Sequence, residues 1–153
     1  MADTHQIKTQ VEPFVRDWLW RRFSQQFTRE FLQLAECSGF HEFDAVSADK
    51  RIVCGIKSSS ARTSGGKNPS GKIAGAYEEL YFLSGVDADQ RFLVLTNKDF
   101  YELLAKKMRD KLSRSIQLLY CPLPHELEQL VGSVQRRASQ EIDRGKRSGG
   151  ANS

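Results

Sequence analysis

Residues 40–58, FHEFDAVSADKRIVCGIKS, contain two runs, Phe40 to Ser47 and Arg51 to Ser58, that are rich in β-branched and aromatic residues and flank the polar Ala48-Asp49-Lys50. This pattern predicts a β-hairpin. If Asp49 and Lys50 form a two-residue loop, Asp44 lies opposite Gly55, and Lys57 joins Asp44 on one face of the pair. The other face then carries Phe43, Ala45, Ile52, Cys54 and Ile56, an apolar set that a helix can cover.

The N-terminal region supplies such a helix. Ile7, Val11, Val15, Leu19, Phe23, Phe27 and Phe31 recur at every fourth position, with Phe14, Trp18 and Leu34 beside them. The spacing predicts one amphipathic helix, firm from about residue 12 because Pro13 suits a first turn, and ended by Ser38-Gly39. Trp20 falls off the stripe and is expected at the surface.

After the hairpin, residues 58–71 (SSSARTSGGKNPSG) lack apolar periodicity and predict a long basic Ser/Gly loop. A second helix from Lys72 to about Ser84 would bury Ile73, Ala76, Tyr77, Leu80 and Leu83. Arg91 to Thr96 reads as an apolar strand, followed by a charged helix capped by Asn97 or Asp99 and running to about residue 112. Ile116 to Cys121 predicts another strand, and His125 to Arg137 a last helix, with residues 138–153 composed like a flexible tail. The order predicts an α/β fold, a single domain over residues 1–137 in which a central mixed sheet carries helices on both faces, a three-layer α/β/α arrangement.

The composition agrees with that reading. A chain of 153 residues, 39% hydrophobic and 27% charged, suits one domain with its own core. No window approaches the roughly 20 apolar residues of a membrane span, and MADTHQIKTQ lacks the basic start and apolar run of a secretory signal, so a cytoplasmic protein with no membrane partner is expected. Cys37, Cys54 and Cys121 are odd in number and widely spaced, which predicts reduced core residues rather than disulfides or a zinc site. The net charge is only +4, but Lys50, Arg51, Lys57, Arg62, Lys67 and Lys72 fall in one stretch without a single acid. Such a stretch can track a phosphate backbone.

An aspartate and a lysine on neighbouring strands place an anionic metal ligand beside an ammonium. Phosphodiester hydrolysis can use that pair, the metal polarising the phosphate and the lysine stabilising developing charge. The segment FDAVSADKRIVCGIK, in a helix, hairpin, helix frame, resembles the PD-(D/E)XK, or restriction-endonuclease-like, nuclease superfamily over roughly residues 12–121. The resemblance implies that Asp44 binds Mg²⁺ or Mn²⁺, that Lys57 is the catalytic lysine, that Glu30 or Glu36 is an assisting acid on the first helix, and that the Ile56 carbonyl supplies a further ligand. It implies DNA or RNA as substrate and leaves room for a homodimer or larger assembly, and the acid-free basic stretch beside the expected metal site makes Lys50, Arg51, Arg62, Lys67 and Lys72 the candidate contacts to the nucleic acid.

One position departs from the family's pattern. Where the family has an acid two residues before the lysine, this chain has Gly55. Some members place that acid on the following helix, where Glu78 and Glu79 lie, and helical spacing does not choose between them. The alternative is a catalytically silent nuclease fold that binds nucleic acid or a protein. Residues 66–72, GKNPSGK, also match part of a phosphate-binding loop, but Ile73 replaces the hydroxyl residue that would ligate magnesium. His41, close to Asp44 in sequence, is expected to be structural.

Overall fold

The computed structural model describes residues 4–61 and 69–150, with side chains described to residue 137. The chain begins with a short helix α1 (Thr4–Gln6), passes through a π-helical turn (Ile7–Val11) and enters helix α2 (Glu12–Phe23) with Pro13 in its first turn. Strands β1 (Phe27–Gln33), β2 (Phe40–Ser47) and β3 (Ile52–Lys57) follow. Helix α3 (Ser70–Gly85), strand β4 (Gln90–Leu95), helix α4 (Lys98–Lys107), strand β5 (Ile116–Tyr120) and helix α5 (His125–Gly150) complete the chain. The five strands form one sheet in the order β1-β2-β3-β4-β5, antiparallel through β3 and parallel from β3 to β5.

The sheet is the middle of three layers. On one face Val46, Val53, Leu93 and Leu95 pack with Ile73, Ala76, Leu80 and Leu83 of α3 and with Phe100 and Leu104 of α4. On the other, Ala45, Ile52, Cys54, Ile56, Phe92 and Val94 meet Val11, Val15 and Leu19 from the N-terminal helical region and Val131 of α5. Trp20 is exposed, as its place off the stripe predicts. Among the described residues no helix is long and apolar enough to cross a membrane.

The first helix is shorter than its spacing predicts. Ser24 adopts a left-handed conformation (φ 57°, ψ 33°) and its N–H bonds Trp20 O at 2.7 Å, closing the helix. Phe27 and Phe31 continue the four-residue spacing as a strand, because a separation of four keeps two residues on one face at either period, 3.6 or 2. Glu30 therefore stands on a strand, where it pairs with Lys50 at 3.7 Å, and Glu36 in the β1–β2 connection at φ 61°. Neither is a helix acid. Helix α5 runs to Gly150, so backbone beyond Arg137 that composition assigns to a tail is helical. Cys54 and Cys121 are buried, but Cys37 is exposed.

Two further differences follow from register and burial. Phe43 packs on the α3 side, not with Ala45. The β1–β2 register shifts between Thr28↔Val46 and Glu30↔Phe43, so Asp44 and Ala45 together oppose Arg29, a β-bulge that reverses the alternation. Tyr77 of α3 points outward and Glu79 takes a buried place.

Candidate metal and phosphodiester site

The bulge puts Asp44 where two strands part. The β2–β3 ladder pairs Ala45 with Cys54 and Val46 with Val53, then ends, while β2 stays paired with β1 as far as Phe40. Asp44 Oδ2 accepts a 2.8 Å hydrogen bond from Ile56 N, so its carboxylate substitutes for a strand carbonyl. The Lys57 carbonyl accepts from Thr96 N on the β4 side, and by alternation the Ile56 carbonyl faces the β2 gap that Asp44 borders. Arg16 Nε donates to Asp44 O at 2.9 Å and holds the bulge from the helix side.

Gly55 explains how a second acid arrives. A Cβ on Gly55 would lie 2.6 Å from Glu79 Cγ and 2.8 Å from Oε1. The side chain of α3 thus fills the space that a side chain at Gly55 would need, and only glycine permits the approach. Glu79 is 8% exposed, whereas Glu78 faces solvent, so the helix offers one of the two acids and not the other. Lys57 is half-buried, shares the α3 side with Gly55 by strand alternation, and makes no side-chain hydrogen bond or ion pair among the described residues.

Two groups absent from the sequence-based site complete the surroundings. Glu12, at the start of α2 and 6% exposed, lies 3.5 Å from Arg29 Nη2 and 3.8 Å from Arg16 Nη2. The charges of Glu12 and Asp44 repel one another. His41 places Nε2 at 3.2 and 3.4 Å from the two Glu79 oxygens. The signal for Glu12 was its i,i+4 spacing to Arg16 beside the buried stripe. His41 had no such signal, because its partner is on a distant helix.

Burial raises the pKa of Glu12 above the ordinary 4.5; the Asp44 charge adds to the rise and Arg29 and Arg16 oppose it. Burial likewise raises Glu79, against the attraction of His41, with Asp44 adding to the rise and Lys57 opposing it. Each is a carboxyl whose folded pKa exceeds its unfolded one. Its contribution to stability is fully present below pH 4.5 and is lost as pH rises through the folded value. Removing the Glu79 charge removes its share of that loss. In thermal melts, the melting temperature of Glu79→Gln is therefore expected to gain on wild type as pH rises from 4.5, and a difference that stays flat with pH contradicts this.

The structure divides the basic residues. Lys50 and Arg51 lie at the start of β3, about 20 Å from Lys57 at ~3.3 Å per residue, and are paired with Glu30 and Asp89. They do not border the site. Lys72 is directed at Ser60, with Nζ 3.2 Å from its carbonyl oxygen, and burial lowers its pKa. Arg62 and Lys67, and with them Gly66 and Asn68 of the phosphate-loop match, lie outside the described residues. Gln135 of α5 donates to Ser58 O at 2.8 Å and ties down the chain just after Lys57.

Among the described residues no three His, Cys, Asp or Glu side chains converge closely enough to hold a metal ion by themselves. Two carboxylates and a backbone carbonyl are nevertheless the kind of set Mg²⁺ accepts, since it keeps several waters and usually takes one or two carboxylates together with substrate phosphate. No protein-family model, curated protein or solved structure matches this chain.

Proposed function

We propose that the protein is a Mg²⁺- or Mn²⁺-dependent phosphodiesterase acting on DNA or RNA, a nuclease of the restriction-endonuclease-like kind whose second acid has moved from strand to helix. The observation that carries this reading is the Glu79 side chain seated against Gly55, on the strand that bears Lys57 and beside the strand that bears Asp44. Burying a carboxylate is costly even when it is paired, as Glu79 is with His41, and such desolvated groups cluster at functional sites. Asp44, Glu79 and the Ile56 carbonyl would hold the cation, which supplies charge for the phosphate and a more acidic bound water. Lys57 would stabilise charge on the phosphate as the bond breaks. Arg16, itself paired with Glu12, holds the Asp44 segment in place from the opposite layer.

A second reading has one observation in its favour: two carboxylates fall short of a complete protein-built metal site. In that reading the same surface around Asp44 and Lys57 binds nucleic acid or a protein without cleaving it.

Cleavage of single- and double-stranded DNA and RNA, assayed with Mn²⁺, separates the two readings. Asp44→Asn and Lys57→Ala are each expected to lose about 10²–10³ in rate, the cost of removing several kcal/mol of charge stabilisation at tenfold per 1.4 kcal/mol. Asparagine keeps an acceptor for Ile56 N, and Lys57 makes no side-chain hydrogen bond among the described residues but attracts the Glu79 carboxylate, so Asp44→Asn should melt close to wild type and Lys57→Ala slightly below it. Salt-sensitive binding by wild type with no cleavage of any substrate supports the second reading instead.

A further inference from the structure

The Glu79 side chain reaches Gly55 from a helix, and something must keep its carboxylate there rather than turned to water. The imidazole of His41 is clamped on two sides: it stacks on Phe82 with centroids 4.0 Å apart and planes within 14°, and it meets Phe43 edge-on at 4.7 Å. These rings come from α3 and β2, the two elements that must stay in register for Glu79 to meet Asp44. Nε2 then lies 3.2 and 3.4 Å from the two carboxylate oxygens. An ionised carboxylate only accepts, so the bond requires a proton on Nε2.

We propose that His41 is the positioning residue of the site, its ring fixed by Phe82 and Phe43 so that Nε2–H holds the Glu79 carboxylate beside Gly55 for the metal. The inference rests on the metal-binding reading of Asp44 and Glu79. It makes His41 part of the function rather than only of the core. Outer groups that orient metal ligands contribute about 10–100-fold to affinity.

Two substitutions separate the ring from the donor. His41→Phe keeps the stack and removes the N–H, whereas His41→Gln loses the stack and retains an amide N–H near the place of Nε2. Mn²⁺ is titrated into the full chain by calorimetry for wild type, His41→Phe, His41→Gln and Glu79→Gln, with a thermal melt of each. The expected result is that both variants melt below wild type, His41→Phe because the buried Glu79 carboxylate loses its donor and His41→Gln because the stack is lost, while His41→Phe binds Mn²⁺ about 10–100-fold more weakly than wild type and His41→Gln binds more tightly than His41→Phe. Wild-type affinity in His41→Phe, or weaker binding in His41→Gln than in His41→Phe, overturns the positioning role while the metal site stands. Absence of Mn²⁺ binding by wild type, or undiminished binding by Glu79→Gln, overturns the metal site and the positioning role with it.

Discussion

Glu79→Ala is expected to reduce Mn²⁺-dependent cleavage by about 10²–10³-fold, and adding Gly55→Glu to that variant to restore most of the loss. The reasoning is spatial. In wild type the Glu79 side chain occupies the place of a side chain on Gly55, with Oε1 2.8 Å from where that Cβ would stand. Truncation at residue 79 vacates the space, and Gly55 does not have the positive φ that would exclude an L side chain. A glutamate at residue 55 therefore enters from the strand and brings its carboxylate to the region the helix formerly supplied. Gly55→Glu alone is the control: with Glu79 present the two side chains compete for one volume, and the variant is expected to fold poorly. Restored cleavage in the double variant means the carboxylate matters and its origin does not. No recovery, in a double variant that melts normally, means Glu79 acts in some other way than as the relocated acid.

Gly55→Ala should be destabilising out of proportion to its single methyl. That methyl would stand 2.6 Å from Glu79 Cγ, within the buried part of a side chain that is itself only 8% exposed. The nearest atoms all belong to the Glu79 side chain, so that side chain must turn away from Gly55 and give up its place beside His41. Overpacking of this kind costs about 1–3 kcal/mol. For a chain of this size each kcal/mol lowers the melting temperature by roughly 2–4 °C. On a Glu79→Ala background the same methyl fills vacated space, so the penalty should vanish and the double-mutant cycle should show coupling of about 1–3 kcal/mol. Chemical denaturation of the four chains measures it. Additive effects would mean that the approach of Glu79 to Gly55 does not govern either residue.

These two experiments turn on a contact that the sequence pattern could frame but not decide. The α/β class, the hairpin, the pairing of Ala45 with Cys54 and the helices over both faces were legible because alternation and 3.6-residue spacing report burial directly. Phe27 and Phe31 were misassigned for the same reason: a four-residue interval satisfies both periods, and only the left-handed turn at Ser24 separates helix from strand. That turn carries no glycine or asparagine to announce it. The bulge at Asp44 and Ala45 was also illegible, since an extra residue in one strand leaves no mark on the pattern of the other.

The candidate site follows the same division. Asp44 and Lys57 are local to one hairpin and could be read from it, and Gly55 marked the missing acid. Glu79 over Glu78 required the rotation of α3 about its axis, which the packing of Ile73, Ala76, Leu80 and Leu83 sets. Glu12 and His41 depend on contacts across 32 and 38 residues of chain, to Asp44 and Glu79 respectively, and no local pattern records them. Lys50 and Arg51 looked like neighbours of Lys57 because they are close in sequence, yet a strand separates them by its full length.

The most direct measurement is a calorimetric titration of Mn²⁺ at low salt into wild type, Glu79→Ala and the Gly55→Glu, Glu79→Ala double variant. The relocated-acid account predicts binding by wild type, at least tenfold weaker binding after truncation of Glu79, and recovery when the acid is returned to residue 55. Equal binding by all three chains, or none by wild type, would contradict it.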